Sequence, residues 1–145
     1  MKQLFQIRSI YLVLTFVFVL ASGSCNKEDD QIIPNVLVPF TINLNIVNEL
    51  TIPGNSVFFP GVGFGGVIVY CELQGSYYAF DAACSYGVSS TCRLKNEGIT
   101  GTCDCCGSQF ILLGGGYPSS EGPATRPLRS YNVSFINSST LRVYN

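Results

Sequence analysis

The chain has 145 residues, with eight Lys and Arg against nine Asp and Glu, a formal net charge of −1, and no histidine. That length suits one domain, and a near-neutral balance without a basic stretch excludes nucleic acid as an expected partner. Without imidazole there are no Ser–His–Asp triads, Cys–His pairs or His metal ligands. No other catalytic constellation stands out, so no enzyme activity is predicted beyond, at most, carrying electrons.

The N-terminal stretch "MKQLFQIRSIYLVLTFVFVLASGSC" carries Lys2 and Arg8, an apolar run from Ile10 to Ala21, and small residues before Cys25. This is the layout of a secretory signal peptide, and the run is short for a membrane span. The small residues ahead of Cys25 resemble a bacterial lipobox, which makes residues 1–25 a lipoprotein signal with Cys25 as the lipid anchor. "NKEDD" follows, similar to the surface-export signal of Bacteroidetes-type lipoproteins. Residues 26–36 read as a tether and 37–145 as the folded domain. The expectation is an exported, outer-membrane lipoprotein, on the cell surface or on the inner leaflet, with the membrane as a partner through its anchor.

From there the chain reads as short strands. "VPFTINLNI" (38–46) alternates apolar and polar residues, as a half-buried strand does. "SVFFP" and the Gly-rich bend "GVGFGG" come next. "GVIVY" is a continuous apolar run, expected of a strand buried on both faces. Gln74-Gly75 turns into "SYYAF". "CRLK" and "GITGTC" flank Asn96-Glu97-Gly98, a predicted hairpin turn. "SQFILL" (108–113) stops at three glycines, "YPSSEGPATRPL" (117–128) is a loop, and "RSYNVSF" and "LRVYN" close the chain as a hairpin. No segment has sustained helical periodicity, so the class is all-β. The Phe58-Phe59 and Tyr77-Tyr78 pairs are expected to pack the sheets, Arg126 and Arg129 to be solvated, and Cys71 to be a small buried apolar residue.

Seven cysteines minus a lipidated Cys25 leaves six: Cys71, Cys84, Cys92, Cys103, Cys105 and Cys106. Export favours disulfides, but six cysteines allow 15 complete pairings and spacing alone does not choose. A structural zinc on Cys84, Cys92, Cys103 and Cys106 is a further possibility, its C-x-x-C being zinc-like. A thioredoxin-like role for Cys103 and Cys106 is disfavoured, because "SQFILL" reads as strand rather than the helix that such chemistry uses.

"AFDAACSY", "CDCCGSQF" and "GPATRPL" resemble, in order and rough spacing, the three cluster-binding loops of Rieske [2Fe–2S] domains. The resemblance spans about residues 62–145, and the "VPFTINLNI" strand with its Gly-rich approach is similar to Rieske-like lipoproteins of Bacteroidetes. It implies a Rieske-like fold of stacked antiparallel sheets with a cluster-binding-loop subdomain. It places Cys84 and Cys103 at the Cys ligand positions and Tyr86 and Cys106 at the His ligand positions. It also implies a Cys92–Cys105 disulfide, with Gly107 and the hydroxyl of Ser108 supporting the cluster from behind its ligands.

Both imidazoles of that family are therefore missing. A two-iron, two-sulfide core is formally +2 when oxidised, so two thiolates and two imidazoles leave it neutral, whereas three thiolates and a phenolate leave it at −2. Added negative charge disfavours an extra electron, which moves the expected potential toward the roughly −400 mV of plant-type ferredoxins. The titratable imidazoles that couple proton to electron transfer are gone as well. Two functions follow: an electron-transfer or redox protein with an atypical [2Fe–2S] site and a redox partner protein, or a surface module with a metal-free site held by disulfides, Cys92–Cys105 and Cys84 with Cys103 or Cys106.

Overall fold

The computed structural model describes residues 33–145; the expected signal peptide, Cys25 and residues 26–32 of the tether lie outside the described residues. The strands are β1 (Phe40–Asn43), β2 (Ser56–Phe59), β3 (Val67–Leu73), β4 (Ser76–Asp81), β5 (Leu94–Glu97), β6 (Thr100–Cys103), β7 (Gln109–Ile111), β8 (Tyr117–Pro118), β9 (Ser130–Asn137) and β10 (Thr140–Tyr144). They form a six-stranded sheet in the order β1-β10-β9-β4-β3-β2 and a four-stranded sheet in the order β5-β6-β7-β8. Every ladder is antiparallel. The domain is all-β, as expected, and the smaller sheet carries the cysteine-rich loops.

The β3 run "VIVYC" is buried throughout because it serves two cores. Side chains alternate across a strand, so Val67, Val69 and Cys71 enter one cluster with Ile42, Leu50, Leu141 and Val143. Ile68 and Tyr70 enter the other, shared with Phe80 of β4 and with Leu94, Phe110 and Leu112 of the smaller sheet. The second cluster is thus the seam between the two sheets. Each fully buried Ile, Leu or Phe there contributes about 1.5–3 kcal/mol. Phe59 and Tyr77 pack on the first cluster, Phe58 and Tyr78 on the second, as the sheet-packing reading requires.

Four predicted elements are corrected, the first being the loop expected over 117–128, which opens with the two-residue strand β8 (Tyr117–Pro118). The strand expected over 38–46 runs only from Phe40 to Asn43. The Asn43 side chain accepts the Asn45 N–H (2.9 Å), a local turn that ends the ladder, and a single 3-10 turn over Asn48–Thr51 then buries Leu50. The hairpin turn is Gly98-Ile99 rather than Asn96-Glu97-Gly98, since Asn96 and Glu97 pair with Gly101 and Thr100. Gly98 has φ +81°, and the Asn96 amide donates to Ser56 O (3.0 Å), tying the smaller sheet to β2. In "SQFILL" only Gln109–Ile111 is strand; Leu112 turns into the seam and its N–H donates to Ile99 O (2.9 Å).

Arg129 is not solvated as expected. Its guanidinium donates to Ile33 O (3.0 Å) and to the Asn35 side chain, and sits 5.9 Å from the Tyr131 ring. Asn145 also donates to Asn35 and to Val36 O, and Ile33 is buried. Residues 33–36 are therefore docked on the domain through side chains some hundred positions away.

Candidate metal centre

Three loops meet at one end of the smaller sheet. The first leaves β4 and carries Cys84, its backbone held by Cys84 N–H to Cys92 O (3.0 Å) and by the Ala83–Arg93 bridge. The second joins β6 to β7 and carries Cys103, Cys105 and Cys106. Its ends are closed by Cys103 N–H to Ser108 O and Gly107 N–H to Cys103 O, both 2.9 Å. Gly107 has φ +72°, which suits a residue without Cβ.

The third loop ties the other two together. Ala124 N–H donates to Ser108 Oγ (3.0 Å), and the Ser85 hydroxyl donates to Arg126 O (2.7 Å). Gly122, at φ +81°, lies so close that a Cβ there would fall 2.4 Å from Ser108 Cα. This third loop is the segment "GPATRPL".

Cys92 and Cys105 form a disulfide across the first two loops, with Cα atoms 5.6 Å apart and a sequence separation of 13. That is the pairing the resemblance implied, and it removes Cys92 from the four-thiol zinc set. A loop of this size closed in the unfolded chain is worth about 3 kcal/mol. A Cys92→Ala/Cys105→Ala chain is expected to lose stability by about that amount in urea unfolding, against no change if the loops hold themselves.

The sulfurs of Cys84, Cys103 and Cys106 lie within 4.8 Å of one another. Cys84 Sγ and Cys106 Sγ are 3.6 Å apart, and Cys106 Sγ is 3.2 Å from Ser108 Oγ. As a thiol Cys106 donates to that hydroxyl; as a thiolate it accepts from it. Burial pushes the Cys84 thiol up to about 12, against the backbone N–H groups of Tyr86 and Gly87, which favour the thiolate. At Cys106 burial works in the same upward direction, but hydrogen bonds from the Ser108 hydroxyl and N–H, together with those from Cys103 and Cys84, outweigh it and the thiol is lowered. The site thus holds sulfur donors with hydrogen-bond donors already aimed at negative charge.

Tyr86 stands two residues beyond Cys84 on the same loop and is half exposed (50%). Cys71 is buried in the first core, apart from this group, as expected. Asp81 is the residue that the sequence reading missed. It is fully buried and accepts from Phe64 N–H (2.7 Å), Gly65 N–H (2.9 Å), Ala83 N–H (2.9 Å) and the Tyr131 hydroxyl (2.7 Å). It joins the Gly-rich bend to the residue before Cys84, and so sets where the first loop begins. The lone acid in "AFDAAC" was the available signal.

No protein-family model matches the sequence, and no curated protein matches it. Among solved structures the chain is similar to the ferredoxin of carbazole 1,9a-dioxygenase from Nocardioides aromaticivorans IC177, at 22% identity. That match covers 74% of this chain and 97% of that one, with TM-score 0.48. It is similar to a chain in the complex of reduced oxygenase and oxidized ferredoxin in carbazole 1,9a-dioxygenase (24% identity, 75% and 91% covered, TM-score 0.48). It is also similar to the Sphingomonas yanoikuyae B1 ferredoxin (19% identity, 65% and 88% covered, TM-score 0.44). In each case the likeness is one of backbone fold at low identity.

Proposed function

We propose that the domain is an electron-transfer protein of the Rieske-like kind, holding a [2Fe–2S] cluster through Cys84, Cys103, Cys106 and Tyr86. The observation that carries this reading is the meeting of three cysteine sulfurs, from two disulfide-linked loops, under a third loop hydrogen-bonded to both. The donor set fits the group, since soft thiolates are the ligands that iron–sulfur clusters select. When bound, the cluster would supply one-electron transfer. Ser108 and the N–H groups of Tyr86 and Gly87 stabilise the thiolates it needs, and Tyr86 would serve as fourth ligand through its phenolic oxygen. The chain would work outside the cytoplasm, anchored at the outer membrane through lipidated Cys25, and exchange electrons with a partner protein.

Anaerobic purification with iron, zinc and acid-labile sulfide analysis tests this. Two irons and two sulfides per chain are expected, with a visible charge-transfer spectrum. Zinc alone, or no metal in a fully reduced chain reconstituted with ferrous iron and sulfide, would overturn it.

A further inference from the structure

The three clustered sulfurs are not equivalent. Cys84 and Cys103 are buried at 0% and 1% exposure, while Cys106 is only partly buried. A reagent in solution therefore meets Cys106 first. The sulfur of Cys84 stands 3.6 Å behind it, within about 1.6 Å of a covalent S–S distance. The loops that carry the two residues are already cross-linked one position away, at Cys105, so a second bond would close between segments that no longer need to be brought together. Cys103 is the last residue of β6, paired with Leu94 and fixed by its N–H to Ser108 O.

We propose that Cys84 and Cys106 are a reversible redox pair that closes to a disulfide by exchange with a low-molecular-weight disulfide, and that closure shuts the site to metal. Cys106 sulfur attacks the external disulfide, forming a mixed disulfide and expelling one thiol. Cys84 sulfur then attacks the Cys106 sulfur, forming Cys84–Cys106 and expelling the second thiol. Two electrons pass from the cysteine pair to the external disulfide, and the two thiol protons pass to the leaving groups. Closure consumes two of the three sulfurs, and Cys103 with Tyr86 leaves too few ligands to hold the metal. This last step rests on the metal reading above; the bond itself does not.

The test treats the purified full chain, metal-free and after reconstitution with ferrous iron and sulfide, with oxidised glutathione. Alkylation and peptide mass mapping follow. In the metal-free chain a Cys84–Cys106 peptide is expected, with two glutathione thiols released per chain, Cys103 alkylated after unfolding, and full reversal by dithiothreitol. Iron uptake by the oxidised chain should fall at least tenfold, and prior loading should block the link. Cys106→Ser should give no link while the Cys92–Cys105 peptide, the check on folding, persists. Absence of the Cys84–Cys106 peptide in excess oxidant, or bonds from Cys106 to Cys103 instead, overturns the proposal. A link that forms in a chain whose reduced form takes up no iron supports the pair and overturns the metal reading, so the two failures are told apart.

Discussion

Replacing Tyr86 and Cys106 together by histidine is expected to raise the midpoint potential of the proposed centre by several hundred millivolts. The two substitutions remove two ligand charges of the present set and supply two neutral imidazoles. The formal charge of the oxidised site then goes from −2 to zero, and reduction no longer adds an electron to an already anionic group. All-thiolate plant-type centres lie near −400 mV and two-His centres at roughly −150 to +300 mV, which brackets the shift. An optical or paramagnetic-resonance redox titration of both chains measures it. The double variant should also gain a pH-dependent potential that the parent lacks, because imidazole titrates and thiolate ligands do not. An unchanged potential with the cluster still present would mean that neither residue is a ligand, and Cys84→Ala would then be the substitution that abolishes binding.

The parts of this site legible in sequence were those with a local signature. The C-x-x-C of Cys103 and Cys106 stood out by type and spacing, Cys84 joined them through the family resemblance, and β3 announced its burial as an unbroken apolar run. The Cys92–Cys105 bond was not derivable from spacing and came from the resemblance of "CDCCGSQF" to a family loop. What stayed hidden depends on partners far along the chain. Arg129 reads as solvated until Ile33 and Asn35 are seen beneath it. Asn96 reads as a turn residue because its tie to Ser56 is 40 positions away. Ser85 and Ser108 carry no pattern that marks them as the two posts to which the covering loop is fastened.

Asp81→Asn is expected to destabilise the domain by about 3 kcal/mol and to loosen the first cysteine loop. The carboxylate is fully buried, and its Oδ1 accepts from Gly65 and Ala83 N–H while Oδ2 accepts from Phe64 N–H and the Tyr131 hydroxyl. An amide has one accepting oxygen. Whichever way it faces, its NH2 confronts at least one backbone N–H, and that buried donor loses its partner; hydrogen bonds to a charged acceptor are worth about 1.5–3 kcal/mol each. The bend packs closely on this loop, since at Gly65 even a Cβ would stand 2.6 Å from Ala83 N. Urea unfolding measures the loss, and faster maleimide labelling of Cys84 measures the loosening; a change below about 1 kcal/mol would show that water satisfies Asp81 instead. The same contact sets an alkaline limit. Burial, then the adjacent Asp81, raise the Tyr131 hydroxyl above its ordinary value, so the neutral form belongs to the fold. Its contribution is complete below about pH 10 and is lost as pH rises through the folded value, and Tyr131→Phe should be less stable at neutral pH yet lose less between pH 9 and 11. The cysteine site thus hangs on a hydrogen-bonded carboxylate three residues before its first thiol.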